Sequence, residues 1–282
     1  MDDHAQLAAP APPTSVRAYC RTILASGGLD AKLRPAPSGL PDRDPGPPLW
    51  IAGPARDPAL ALSPGSDRLP RPHALKEASA RAQCLARFAH HELMAVELFA
   101  WALLRWPELP ASLRRELFEI LADEQRHCRL YLERLAAHGE SLADHPCSGY
   151  FWKHAAAIGG SRHGPRAFLC AMGLTLEQAN LDFSSLYARA FRAAGDESSA
   201  AVCERVYRDE VGHVRVAARW LVSLSEEGES DLAAYETCVP FPFGANRAKG
   251  RHFDIEARRR AGLSEAFIEN VRQATSRPGR GA

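Results

Sequence analysis

The chain has 282 residues and a mass of 30.8 kDa, with 46% hydrophobic and 24% charged residues, a globular balance that allows a substantial buried core. Lys and Arg total 35 against 34 Asp and Glu, so no charge surplus marks a general polyanion binder. The longest apolar run, Leu93–Leu104, contains Glu97 and falls short of the ~20 apolar residues of a membrane span, so no membrane partner is expected.

The start of the chain, with Asp2, Asp3, Pro10, Pro12 and Pro13, lacks the basic and apolar segments of a signal peptide, and a cytoplasmic location is expected. Seven scattered cysteines (Cys20, Cys84, Cys128, Cys147, Cys170, Cys203, Cys238) never adopt C-x-x-C spacing and read as reduced packing residues. Residues 1–72 are rich in proline and glycine, with room for a regular helix only near Val16–Ser26, and form an arm over a core.

From His73 to Trp106 there is no proline or glycine, and Leu85, Phe88, Val96, Phe99 and Leu103 recur at helical intervals. Pro107 and Pro110 bracket a tight turn into a second helix that carries Leu113, Leu117, Ile120, Leu121 and Leu135 and ends at Gly139. Residues 139–164, with five glycines and Pro146, read as a long crossover; Pro165 suits the first turn of a third helix that runs to about Ala194. Gly195 closes it, and Asp196 caps a fourth helix reaching about Gly228. Short, long and short connections make this an all-α four-helix bundle with one crossover. An aromatic and proline segment, Val239–Gly244, then precedes a basic stretch from Arg247 to Arg260 and a last helix over Ile255–Ala274, docked on the bundle. The expected units are an arm at 1–72, the bundle at 73–228 and a helical extension at 229–282.

Two copies of Asp-Glu-x-x-His-x-Arg stand in the bundle, Asp123-Glu124-Gln-Arg-His127-Cys-Arg129 and Asp209-Glu210-Val-Gly-His213-Val-Arg215. Glu and His three residues apart share a helix face and can present a carboxylate and an imidazole to one metal ion. One copy is weak evidence, since most such pairs are solvated. The other two helices, however, carry acids at matching depth. In an antiparallel hairpin, two residues at one level lie equally far from the turn. Halfway between Glu92 and Glu124 is position 108, inside Pro107–Pro110; halfway between Glu177 and Glu210 is 193.5, beside Gly195. Glu97 fits the turn less well and is rotated about 140° from Glu92, so it is expected to support the site or to swing in as a ligand.

The expected ligands are thus Glu92, Glu124, His127, Glu177, Glu210 and His213. Four carboxylates and two neutral imidazoles balance two divalent cations, and mixed oxygen and nitrogen ligands with open positions suit iron first and manganese second, rather than structural zinc. Asp123 and Asp209 are placed to accept the ring N–H of a ligand His on the facing helix, with Arg129 and Arg215 neutralising them or extending to solvent. Tyr207, three residues before Glu210, is expected to bound the site.

At these residues the sequence resembles the ferritin-like superfamily of di-iron carboxylate proteins. Asp123–His127 is similar to the Asp-Glu-x-Arg-His pattern of bacterial multicomponent monooxygenases, from which the second copy departs at Gly212. More closely, Ala89-His-His-Glu-Leu-Met-Ala-Val-Glu97, the two Asp-Glu-x-x-His segments, Gly195-Asp196 and the proline-rich front end resemble the ferritin-like family called domain of unknown function four-five-five. That resemblance implies a ferritin-like bundle, with Glu124 and Glu210 as bridging carboxylates, Glu92 and Glu177 as terminal ones, and His127 and His213 as terminal nitrogen ligands. It implies no substrate.

The function expected is a dinuclear non-haem iron oxidase or hydroxylase that uses oxygen on a small or medium organic substrate, with an external reductase where electrons are needed. Two alternatives stand beside it. One is non-catalytic iron binding or ferroxidase activity. The other is hydroxylation of RNA, with Arg247, Lys249, Arg251, Arg258, Arg259 and Arg260 contacting phosphates, for which a solvated basic helix is the simpler reading.

Overall fold

The computed structural model of the chain describes residues 12–65 and 68–275. Its core is four long helical segments: α3 (Ala78–Arg105), α4 (Ala111–Ala137), a third built from α6 (Pro165–Ala171) and α7 (Gln178–Ala193), and α8 (Glu197–Ser223). Two short helices precede them, α1 (Val16–Ala25) and α2 (Leu29–Leu33); α5 (Ala155–Gly159) lies in the crossover, and α9 (Asp231–Cys238), α10 (Ile255–Arg260) and α11 (Glu265–Gln273) follow. Helix α3 pairs with α4 and α7 with α8, and α4 packs on α8 to join the hairpins into an all-α bundle. Among the described residues no helix is long and apolar enough to cross a membrane.

The arm explains why α3 lacks an exposed stripe. Every residue from Glu92 to Leu104 is buried, because the bundle covers one side of the helix and the arm the other. Helix α1 packs on α3; Leu49 donates its backbone N–H to Leu104, and the Trp101 indole donates to the Ile51 carbonyl at 3.1 Å. Further along, Leu62–Ser63 pairs in parallel with Cys147–Ser148, tying the arm to the crossover. All seven cysteines are buried and none forms a disulfide.

Two local features set the depth of the helices. Gly195 adopts φ +78°, and the Asp196 carboxylate then accepts from the Ser199 backbone N–H at 3.0 Å to start α8. In the third helix, Met172–Glu177 forms a π-helical turn, stabilised where the Thr175 hydroxyl donates to the Cys170 carbonyl at 2.7 Å. A Cβ at Gly173 would come within 2.2 Å of the Ala217 Cβ, so only glycine lets this turn lie against α8.

Three expected boundaries change. The first long helix starts at Ala78 after a 3₁₀ turn over Pro72–Lys76, and the fourth ends at Ser223 rather than near Gly228. The last helix is two: Gly262 at φ +84° ends α10, and the Ser264 hydroxyl accepts from Phe267 N–H to begin α11. Helix α9 was hidden by its weak amphipathic pattern.

Candidate metal centre

Glu92 on α3, Glu124 and His127 on α4, Glu177 at the end of the π turn, and Glu210 and His213 on α8 converge in the bundle, each at most 5% exposed. Their ligand atoms form two groups, Glu92, Glu124, His127 and Glu210, and Glu124, Glu177, Glu210 and His213, in each of which the atoms lie within 4.8 Å of one another. Glu124 and Glu210 belong to both. The π turn falls on the side of Glu177 remote from the Gly195 turn, so the spacing between Glu177 and Glu210 through that turn is undisturbed.

The imidazoles are held from behind across the bundle. His127 Nε2 lies 3.1 Å from Asp209 and His213 Nε2 3.3 Å from Asp123. An ionised carboxylate only accepts, so each Nε2 donates to its aspartate and each Nδ1 faces the cluster, where it would offer its lone pair to a cation once it carries no proton. Both Nδ1 atoms, both Glu124 oxygens and Glu210 Oε2 are buried without a hydrogen-bond partner. Leaving such atoms unsatisfied in a protein interior is costly, whereas a cation coordinates all of them. This buried carboxylate and histidine cluster therefore fits a metal ion.

Titration within the cluster follows from the same crowding. Burial, and then the charge of Glu124, pushes Glu92 well above the usual carboxylate range, and burial together with Glu177 does the same to Glu210. For Glu124, burial is outweighed by the nearby His127 and His213, and the group falls below that range. Burial is likewise outweighed at His213, which Asp123 and the surrounding glutamates raise, and at His127, raised by Asp209 and Glu124. Asp209 and Asp123 are held low against burial by the histidines and by arginines.

Several expected neighbours lie elsewhere. Glu97 is not in the cluster: its oxygens bind Arg56 at 2.7 and 2.8 Å, Lys32 at 2.9 Å and the Trp152 indole at 2.9 Å. It faces the arm and crossover, whose cations compensate its buried charge. Tyr207 does not bound the cluster either; its hydroxyl joins Asp254 at 2.8 Å and Arg260, on the side where α10 docks. Arg129 donates to the Leu33 carbonyl and Arg215 to that of Arg260, so neither neutralises the aspartates. That role falls to Arg126, which reaches Asp123 at 2.7 Å and Asp209 at 3.1 Å, and to Arg205, which reaches Asp209 at 2.8 Å. The i,i+3 spacing of Arg126 from Asp123 was a sign of the first contact, but its second partner lies on another helix. Asn180, which donates to Glu210 Oε1 at 2.8 Å, was also missed, although it stands three residues after Glu177 on the same face.

A cavity of about 630 Å³ is lined by Glu92 and Glu177 and extends outward between α3, α7, the arm, the crossover and the segment after α9. Apolar and aromatic walls come from Leu69, Phe88, Phe151, Leu176, Phe183 and Tyr187. The basic stretch does not form one face. Arg258 is buried on Asp182, Arg259 pairs with Glu256 and Glu265, and Arg247 and Lys249 line the cavity.

The family described as "Protein of unknown function (DUF455)" matches residues 27–269, a span that takes in the bundle, the cluster and most of both flanks. No curated protein and no solved structure matches the chain.

Proposed function

We propose that this chain, which belongs to the DUF455 family, is a dinuclear non-haem iron protein that oxidises or hydroxylates an organic substrate with oxygen. The observation that carries the reading is the pair of ligand groups sharing Glu124 and Glu210, with buried unsatisfied atoms turned inward. Glu124 and Glu210 would be common to two ions, while Glu92 with His127 and Glu177 with His213 complete one side each. Iron is the first choice and manganese the second, from the oxygen-rich donor set. A redox-active pair of ions held there supplies two-electron chemistry toward dioxygen, with an external reductant restoring the electrons that hydroxylation consumes.

The chain's own residues do the rest. Asp209 and Asp123 keep the Nε2 protons in place and so aim Nδ1 of each histidine, and Asn180 fixes one oxygen of Glu210. Deep burial excludes bulk water from the cluster, and the cavity brings an organic molecule against Glu92 and Glu177. This cavity favours an organic substrate over iron storage alone.

The test is metal content followed by reaction with oxygen. Protein loaded anaerobically with ferrous iron should take up two ions per chain and, on exposure to oxygen, give a transient visible chromophore. Metal-replete protein without that transient would overturn the oxidase reading; ferrous oxidation indifferent to any organic ligand would favour iron handling instead.

A further inference from the structure

We infer that the cavity binds an amphipathic organic anion, with its carboxylate or phosphate head on Arg247, Lys249 and Arg68 and its apolar body running inward to Glu92 and Glu177. This names the substrate class of the proposed metal site and rests on that reading only for the chemistry, since the binding contacts are separate residues.

The position of the cations follows from exposure. Among the lining residues, Phe88, Glu92, Ala95, Glu177 and Tyr187 are buried, whereas Arg247 and Lys249 are half-buried and Arg68 is exposed. The cavity therefore has an acidic floor at the cluster, a middle of aromatic rings and a cationic mouth. The floor's two carboxylates face the cluster at the buried end of the cavity, which leaves the mouth as the charge that a head group meets. Arg247 donates to the Tyr150 hydroxyl and Lys249 to the Arg272 carbonyl at 2.6 Å, so both are positioned by neutral oxygens rather than by carboxylates. Burial, and then the neighbouring Arg258, lowers Lys249 from the ordinary lysine value, against the pull of Asp182.

The walls set the other half of the ligand. Phe151, Phe183, Phe88 and Tyr187 offer ring faces and edges for an apolar body, and the Tyr187 hydroxyl is committed to the Pro70 carbonyl at 2.6 Å, while His91 and Asn180 add polar groups to the same lining. A volume of about 630 Å³ suits a drug-sized molecule with most of its surface buried. A planar guanidinium and a flexible ammonium together suit an oxyanion head of either geometry.

The experiment is calorimetric titration of the metal-loaded full chain with dodecanoate, dodecyl phosphate, dodecanol and dodecylammonium. One or both anions should bind one to one, about tenfold or more tighter than dodecanol, and dodecylammonium should bind more weakly still. Which anion is tighter identifies the head group. The double variant R247M/K249M should lose about ten- to hundredfold in anion affinity with little change for dodecanol, while R247K/K249R retains most of it and shows that the segment still folds. Equal binding of anion, alcohol and amine, or anion affinity untouched in R247M/K249M, overturns the proposal. Metal content is measured on the same samples: protein that binds the anions but takes up no metal sinks the metal reading while sparing this one.

Discussion

Replacing Arg258 by methionine should be among the most destabilising single changes in the chain outside the metal cluster. Arg258 and Asp182 are 0% and 1% exposed, and the guanidinium makes two bonds of 2.9 Å to the carboxylate. It also donates to Ala248 O at 2.9 Å and Asp254 O at 3.0 Å, and lies over the Phe253 ring at 3.8 Å. Methionine fills much of the stem volume but leaves the Asp182 charge buried, and removing one partner of such a pair costs about 3–5 kcal/mol. Asp182 still accepts from the backbone N–H groups of Gly250 at 2.8 Å and Asp254 at 2.7 Å, which places the expected loss near the lower end, about 3 kcal/mol. In a protein of this size that corresponds to a fall of about 6–12 °C in Tm. Urea denaturation followed by circular dichroism measures the loss directly, with the midpoint falling at constant slope. The double variant D182L/R258M should lose less than the sum of the singles by about 1–3 kcal/mol, since neither charge is then stranded. A loss below about 1 kcal/mol for R258M, or additive singles, would refute the view that this pair anchors the C-terminal segment on α7.

Three further outcomes are expected. Gly173→Ala should destabilise by about 1–3 kcal/mol through its collision with Ala217, and Ala217→Gly in the same chain should restore most of the loss in thermal melts; no rescue would mean that the contact is not the cause. Glu97→Gln should cost about 3–5 kcal/mol by leaving Arg56 and Lys32 uncompensated, yet leave metal content by elemental analysis unchanged; lost metal would make Glu97 a ligand after all. Asp209→Asn should weaken metal binding by about 10- to 100-fold in competition with a chelator, because His127 loses the charged acceptor that fixes its tautomer and raises its basicity, and unchanged affinity would separate Asp209 from the site.

Much of the bundle was legible because its signals are local. Proline and glycine mark the turns at Pro107–Pro110 and Gly195, apolar residues recur at helical spacing, and the four acids could be levelled by counting residues from each turn. That count depends only on the constant rise of an α-helix. It worked for Glu177 because the π turn lies beyond it, on the far side from Gly195; a bulge between Glu177 and the turn would have shifted the level by a residue without any sign in the pattern.

Contacts made by the arm, the crossover and the C-terminal segment were not legible. The turn count preferred Glu92 to Glu97 as a ligand, but only the arm's Lys32 and Arg56 and the crossover's Trp152 show Glu97 as part of a buried ion pair facing away from the cluster. Tyr207 shares a helix with Glu210, but the docking of α10 turns its hydroxyl to Asp254. The basic stretch read as one charged run until Arg258 was buried on Asp182 and Arg247 and Lys249 came to line the cavity. By itself, then, the sequence determined the family, the four long helices of the bundle and the depth of the acids, all of which depend on spacing along one or two neighbouring helices. The tertiary structure alone decided which charges meet outside the cluster and what shape the cavity takes, because those depend on where an arm, a crossover and a C-terminal segment of irregular backbone come to rest.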